Sequence, residues 1–208
     1  MANAFSGELC FGGSFNPVHI GHLVTARAAA EAGGFDRVRL IPTGTSPFKA
    51  GQRKPVSDED RLAVLDAAVA DDPMFVVDPV ELGRPGKSFT ADTAEQLRGS
   101  PPFSGRPIPW LIGADLLPTL DRWHRADELL AGDLVRFIVM HRAGYPIDWD
   151  PLPPAVQKLQ SDAVVVPDIE ISSSDIRDRL SRGRSVRYLV PDEVLSVIER
   201  LCLYRDVD

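Results

Sequence analysis

The sequence predicts an α/β fold, a parallel sheet with helices on both faces, and three observations lead there. Six short apolar runs alternate with helical patterns along the chain, the rhythm of βαβ units around a parallel sheet. The first run breaks at Gly12-Gly13 and leads into an alanine-rich amphipathic stretch, which is the order strand, glycine turn, helix. The 208 residues carry no internal repeat, low-complexity tract or linker, so one core and a single domain over 1–208 are expected, with a helical C-terminal portion from about residue 171.

Taken in order, Leu9-Cys10-Phe11 is the first strand and Leu23 to Ala32 the first helix. Arg37 to Pro42 is the second strand, followed by a polar loop from Thr43 to Val56 rich in Gly, Pro and Lys. Ser57 is a suitable N-cap for a helix to about Ala70, and Asp58, Glu59 and Asp60 suit the positive end of its dipole. Met74 to Val77 is the third strand, Gly83–Ser88 a flexible connection, and Thr90 to Leu97 a helix. The four prolines between Gly99 and Pro109 mark a loop, after which Trp110-Leu111-Ile112 is a short buried strand ending at Gly113-Ala114-Asp115. Short helices are expected at Leu116–Leu120 and Arg125–Ala131, a fifth strand at Leu134–Met140, a helix within Pro153–Gln160 and a sixth strand at Ala163–Val166. Ser173–Arg182 and Pro191–Leu201 close the chain as helices, Pro191 suiting a first turn.

Composition narrows the function. With 44% hydrophobic and 25% charged residues the chain is that of an ordinary globular protein, and its net charge of −7 argues against general nucleic-acid binding. The two cysteines give neither a disulfide framework nor a zinc cluster, and Cys10 reads as a small core residue. No apolar run approaches the roughly 18 residues of a membrane span, and the N-terminus has neither a basic start nor an apolar signal segment. A cytoplasmic protein without nucleic-acid or membrane partners is expected; the sequence leaves homo-oligomerisation open.

Ligands of such folds bind beyond the carboxyl ends of the strands, where the strand order reverses. Both glycine turns, Gly12-Gly13-Ser14-Phe15 and Gly113-Ala114-Asp115, fall at that edge. Glycines let backbone N–H groups approach a ligand, and the helix N-terminus that follows favours an anion. Two of the four histidines, His19 and His22, sit at this entrance with Gly21 between them leaving room beside the rings. Imidazoles there can donate to phosphate oxygens and, when protonated, offset developing charge. Metal ligation by the pair is the alternative, although no third ligand has a recognisable spacing. The segment is neither a GxxxxGK[ST] loop nor a GxGxxG turn.

A second constellation is Ile171-Ser172-Ser173-Ser174-Asp175-Ile176-Arg177. Its serines can cap a helix or bind phosphate. From Ile171 to Val190 five arginines and two aspartates give a local balance of +3, and Arg179, Arg182 and Arg184 read as a solvated helical face. Arg177 lies one turn into the helix, where a cation opposes the dipole unless an anion stands between them. By themselves Asp115 reads as a helix N-cap, Trp123 as a core or hinge aromatic, and His124 and His141 as structural or surface residues.

These stretches together resemble the nucleotidyltransferases with (H/T)xGH and ISSTxxR motifs, most closely the bacterial nicotinate-nucleotide adenylyltransferases. The family's opening GG(T/S)FDPxHxGH is similar to Gly12 through His22; its middle is echoed by Phe89-Thr90-Ala91-Asp92-Thr93 and by Ile112-Gly113-Ala114-Asp115-Leu116 leading to Trp123. Arg142-Ala143-Gly144-Tyr145 matches its RxGY segment, and Leu189-Val190-Pro191 through Leu203-Tyr204-Arg205 its end. Asn16 stands for the family's aspartate, Ser174 for its threonine, and Ser46-Pro47-Phe48-Lys49 for PPH(R/K), so that Phe48 lacks the donor while Lys49 keeps the charge. The resemblance implies a Rossmann-like nucleotidyltransferase fold and transfer of the adenylyl group of ATP to nicotinate mononucleotide, a step of NAD biosynthesis. By the same resemblance His19, His22 and Arg177 are catalytic; Gly12, Gly13, Ser14, Phe15, Gly113, Asp115, Ser172 and Ser173 bind ATP; and Lys49, Thr90, Trp123 and Arg142 bind the mononucleotide. Mg²⁺ comes bound to ATP, with no dedicated protein ligands. The competing expectations are another phosphate acceptor (nicotinamide mononucleotide, phosphopantetheine or a sugar-alcohol phosphate) and an ATP-binding module without turnover.

Overall fold

The structure, a computed structural model, describes residues 7–46 and 56–205. Six strands, β1 (Glu8–Gly13), β2 (Arg37–Pro42), β3 (Phe75–Val77), β4 (Ile108–Gly113), β5 (Val135–Arg142) and β6 (Ala163–Val166), form one sheet of order β3-β2-β1-β4-β5-β6. Every pair is parallel. The chain winds outward from β1 to β3, then returns beside β1 and winds the other way, which is the doubly wound arrangement. The reversal lies between β1 and β4, paired through Cys10↔Trp110 and Phe11↔Leu111.

Strands buried on both faces alternate their side chains between two cores. Leu9, Phe11, Leu40, Leu111 and Ile138 face one core, filled by α1 (Ile20–Gly33), α2 (Asp58–Val69), α6 (Ser173–Ser181) and α7 (Asp192–Arg200). Cys10, Ile41, Trp110, Ile112 and Phe137 face the other, filled by α3 (Thr90–Arg98), α4 (Ala126–Ala131), α5 (Pro154–Gln157) and the 3₁₀ helix Ala114–Arg122. Flat alanines, Ala26, Ala29 and Ala30, bring α1 close against the sheet. Each fully buried leucine or phenylalanine contributes about 1.5–3 kcal/mol, and Leu9, Leu40, Leu111 and Phe137 are all at most 1% exposed.

All six expected strands are present, with boundaries shifted by a residue or two. The proline-marked loop ends before Ile108, because Pro109 is already in β4. It is tolerated there because β4 pairs with β1 only at Trp110 and Leu111, so Pro109 lies outside that ladder and its missing N–H breaks no bond on that side. The helix expected within Pro153–Gln160 is one short α turn followed by a 3₁₀ segment, Lys158–Asp162. Ser57 caps α2 as expected, its hydroxyl accepting from Asp60 N–H at 3.0 Å. Among the described residues no helix is long and apolar enough to cross a membrane.

Candidate active site

The crevice at the reversal holds two cavities that share Phe11 and Gly113. The larger, about 660 Å³, is lined by His19, His22, Thr25, Asp115, Arg142, Ser172 and Ser173 among others. The smaller, about 250 Å³, lies over the opposite core and is lined by Gly12, Thr43, Ser88, Thr90, Trp123 and His124 among others.

The histidine pair is built by the start of α1. His19 is the N-cap: its Nδ1 accepts from His22 N–H, and His22 Nδ1 accepts in turn from His19 N–H, both at 3.3 Å. The rings stack with centroids 3.6 Å apart. With each Nδ1 facing a backbone donor, a neutral ring keeps its proton on Nε2. Burial holds His19 down to about 4, and burial followed by repulsion from His19 holds His22 down to about 3. At neutral pH both therefore face the cavity as uncharged donors, which sets aside the protonated form for the free protein. Gly21 leaves them room, since a Cβ there would lie 3.0 Å from His19 Nδ1 and press on that ring.

The rest of the glycine turn supports this entrance from below. Phe15 adopts φ of +41°, and its ring is buried edge-on against Phe11 and His22, so packing over-determines a backbone conformation that costs energy alone. Gly13 sits against that ring, and Ser14 offers its carbonyl to Arg61. Gly12 lines the smaller cavity. The ATP-binding expectation thus divides: Gly12 borders a cavity, whereas Gly13, Ser14 and Phe15 shape the turn.

α6 docks its N-terminus on the same turn. Ser172 caps the helix by accepting from Asp175 N–H at 3.0 Å, Ser173 Oγ donates to Pro17 O at 2.8 Å, and both serines line the larger cavity. Arg177 reaches the turn without being among the residues that line the cavity: Nη1 donates to Asn16 O at 2.7 Å and Nη2 to Ser174 Oγ at 3.1 Å. Its remaining N–H groups are the donors it has for an anion. Tyr204 closes the arrangement by donating to Asn16 Oδ1 at 2.7 Å.

Asp115 is not a helix N-cap. Gly113 occupies that position with no side-chain cap, and a Cβ on Gly113 would meet Asp115 Oδ1 at 2.3 Å, so the glycine lets the carboxylate fold back along the cavity wall. Thr90 opens α3, whose first turn has no side-chain cap. Trp123 stands beside it across the smaller cavity, edge-on to Phe137 at 6.2 Å. Arg142 lines the larger cavity with the histidines, not the smaller one with Thr90. It ends β5, on the far side of β4 from β1, and points toward Asp168 at 3.3 Å. Lys49 and Phe48 lie outside the described residues.

Sequence reasoning missed several residues. His124 lines the smaller cavity, its ring tilted against Phe89 with centroids 4.4 Å apart and its Nε2 3.6 Å from Asp92; His141 lines the larger, with Nδ1 3.3 Å from Tyr145 O. Arg61, only 2% exposed, bridges the ends of two strands: Nη1 reaches Ser14 O at 2.6 Å, and Nη2 reaches Thr43 O at 2.7 Å and Asp58 Oδ1 at 2.6 Å. Glu81, buried in the wall of the smaller cavity, accepts from Thr93 Oγ1 at 2.7 Å, and burial raises its carboxyl above the ordinary range.

The chain matches the cytidylyltransferase-like family over residues 10–179. An Enterococcus faecalis protein named "Probable nicotinate-nucleotide adenylyltransferase" is 40% identical over 195 residues, covering 94% of this chain and 83% of that protein. One of the same name from Roseiflexus sp. is 37% identical over 207 residues, covering 99% and 100%. The solved structure of Plasmodium falciparum nicotinic acid mononucleotide adenylyltransferase complexed with NaAD has a TM-score of 0.73 over 96% of this chain and 97% of that one, at 15% identity. A likeness at that identity speaks to the fold.

Proposed function

We propose, from the premise that this chain belongs to the cytidylyltransferase-like family and within it to the nicotinate-nucleotide adenylyltransferases, that it transfers the adenylyl group of ATP to nicotinate mononucleotide. The products are nicotinate adenine dinucleotide and pyrophosphate. The observation that carries this reading is the pair of cavities meeting at Phe11 and Gly113, one lined with phosphate donors and one with an aromatic face and an uncapped helix start.

In this reaction an oxygen of the mononucleotide phosphate attacks the α-phosphorus of ATP in line. The bond from that phosphorus to the α–β bridging oxygen breaks, and pyrophosphate leaves with the electron pair. The attacking phosphate is already ionised at neutral pH, so no general base is required. Catalysis then rests on positioning and on donors aimed where charge accumulates. The Nε2–H groups of His19 and His22 meet the phosphate oxygens, with Ser172, Ser173 and the outer N–H groups of Arg177 holding the leaving pyrophosphate. Asp115 takes ribose hydroxyls of the adenosine half. In the smaller cavity Trp123 stacks on the pyridine ring, while Thr90 and the first N–H groups of α3 receive its carboxylate. Arg142, in the wall of the larger cavity, serves the phosphates in this scheme.

Among the described residues no group of three or more His, Cys, Asp or Glu could hold a metal ion. In this reading Mg²⁺ comes in on the oxygens of ATP, and no step here passes through it. A cytoplasmic location is part of the same reading.

Pyrophosphate release from ATP is expected only when nicotinate mononucleotide is present, and to fall about 10²–10³-fold in His19→Ala, the cost of one oxyanion donor. Release that ignores the mononucleotide, or a His19→Ala enzyme of full activity, would overturn the proposal. Equal or faster turnover of nicotinamide mononucleotide would move the acceptor to the amide.

A further inference from the structure

We propose that a second anion site lies behind the phosphate turn, in a cavity of about 640 Å³ between the end of α6, the segment 183–187 and α7, and that it takes a small molecule carrying a pyrophosphate group. Arg184, Arg187 and Arg205 line this cavity, and among the described residues that line it Glu199 is the only carboxylate. None of the three guanidinium groups has an ion pair or side-chain hydrogen bond among the described residues. Seven other arginines, Arg27, Arg39, Arg61, Arg125, Arg136, Arg142 and Arg182, hold carboxylates, whereas these three share one hollow. Three unpaired like charges around one hollow, in a chain of net charge −7, repel one another until an anion joins them.

The recognition chemistry is that of a phosphate cluster. Guanidinium forks match phosphate oxygens bidentately, and three of them suit two linked phosphates better than one. The turn that presents Arg184 and Arg187 is held in place: Arg179 Nε donates to Ser185 O at 3.0 Å, Arg184 N–H to Arg179 O at 2.7 Å, and Arg187 N–H to Ser185 Oγ at 3.2 Å. Val186 and Ile198, 1% exposed each, give the cavity an apolar floor. The volume falls within the range of small-molecule sites, roughly 300–1,000 Å³.

Both walls touch the catalytic turn. Leu189, two residues beyond Arg187, accepts from Ile20 N–H at 3.0 Å at the start of α1, and Tyr204, beside Arg205, donates to Asn16 Oδ1 at 2.7 Å. A ligand drawing these arginines inward pulls on the two segments that frame His19. The same group exists free, as the leaving product of the proposed reaction, or within a dinucleotide, and the experiment separates the two.

Equilibrium dialysis with the full chain and no co-substrate reads the site without turnover, so its outcome is independent of the adenylyltransferase reading. With inorganic pyrophosphate as probe, wild type is expected to bind one equivalent more than Arg184→Ala/Arg205→Ala, the extra equivalent weakening at least tenfold in the variant. The same comparison with nicotinate adenine dinucleotide identifies the source: an extra equivalent for either probe supports the site, and for neither overturns it. Arg187→Ala, at an exposed position, is the second variant should the double substitution fail to fold, and is expected to weaken the same equivalent. Binding identical in wild type and variants also overturns the proposal.

Discussion

Acidification is expected to weaken this fold through the histidine pair. His19 is 5% exposed and its imidazole is held near 4 by burial, whereas in the unfolded chain it titrates near 6.5. Between those values the unfolded chain binds a proton that the folded protein refuses, so the pair's full contribution is present above about pH 6.5 and is lost as pH falls toward 4. The gap between about 4 and 6.5 corresponds to roughly 3 kcal/mol at 1.36 kcal/mol per pH unit, a visible part of the 5–15 kcal/mol of a typical domain. Urea unfolding of wild type and His19→Gln at pH 7.5, 6.0, 5.0 and 4.5 isolates the effect, because the carboxylates titrate in both proteins. Wild type is expected to lose about 2–3 kcal/mol more than the variant over this range. Parallel losses, or an imidazole of His19 that titrates near 6.5 by NMR in the free protein, would refute the buried, neutral pair.

Three further outcomes follow from the site. Arg61→Met leaves the Ser14 and Thr43 carbonyls and Asp58 without their cation, which is expected to cost about 3–5 kcal/mol in urea unfolding and to lower kcat more than it raises KM; Arg61→Lys is expected to restore part of both. Thr90→Val is expected to raise KM for nicotinate mononucleotide about tenfold while leaving KM for ATP unchanged, the loss of one hydrogen bond to a charged group, as steady-state kinetics would show. In Gly113→Ala the new Cβ would lie 2.3 Å from Asp115 Oδ1 and must displace that carboxylate; KM for ATP is expected to rise several-fold with thermal melting little changed.

The sheet was legible because parallel strands buried on both faces read as short apolar runs, and β2 and β6 begin and end where their sequences suggest. What the sequence hides is register and facing. Pro109 reads as loop, and only its position beyond the β1–β4 pairing shows why a strand accepts it. His19 and His22 were visible because their geometry is local, one turn of one helix. Arg61 sits in Asp58-Glu59-Asp60-Arg61, which reads as an exposed charged start, and its burial follows only from β1 and β2 ending above it. His124 gains its place from Phe89, 35 residues earlier, through a ring contact that no spacing announces. Arg142 is visible by pattern, but a strand's sequence does not say which side of the crevice its end will face, and only the fold puts it in the wall of the larger cavity.

A structure of the protein with nicotinate adenine dinucleotide bound tests the central claim most directly. The adenosine half is expected in the larger cavity, the pyridine ring against Trp123 in the smaller, and the joining phosphates within hydrogen-bond reach of Nε2 of both His19 and His22. A dinucleotide lying wholly to one side of Phe11 and Gly113, with either imidazole out of reach of phosphate, would contradict it.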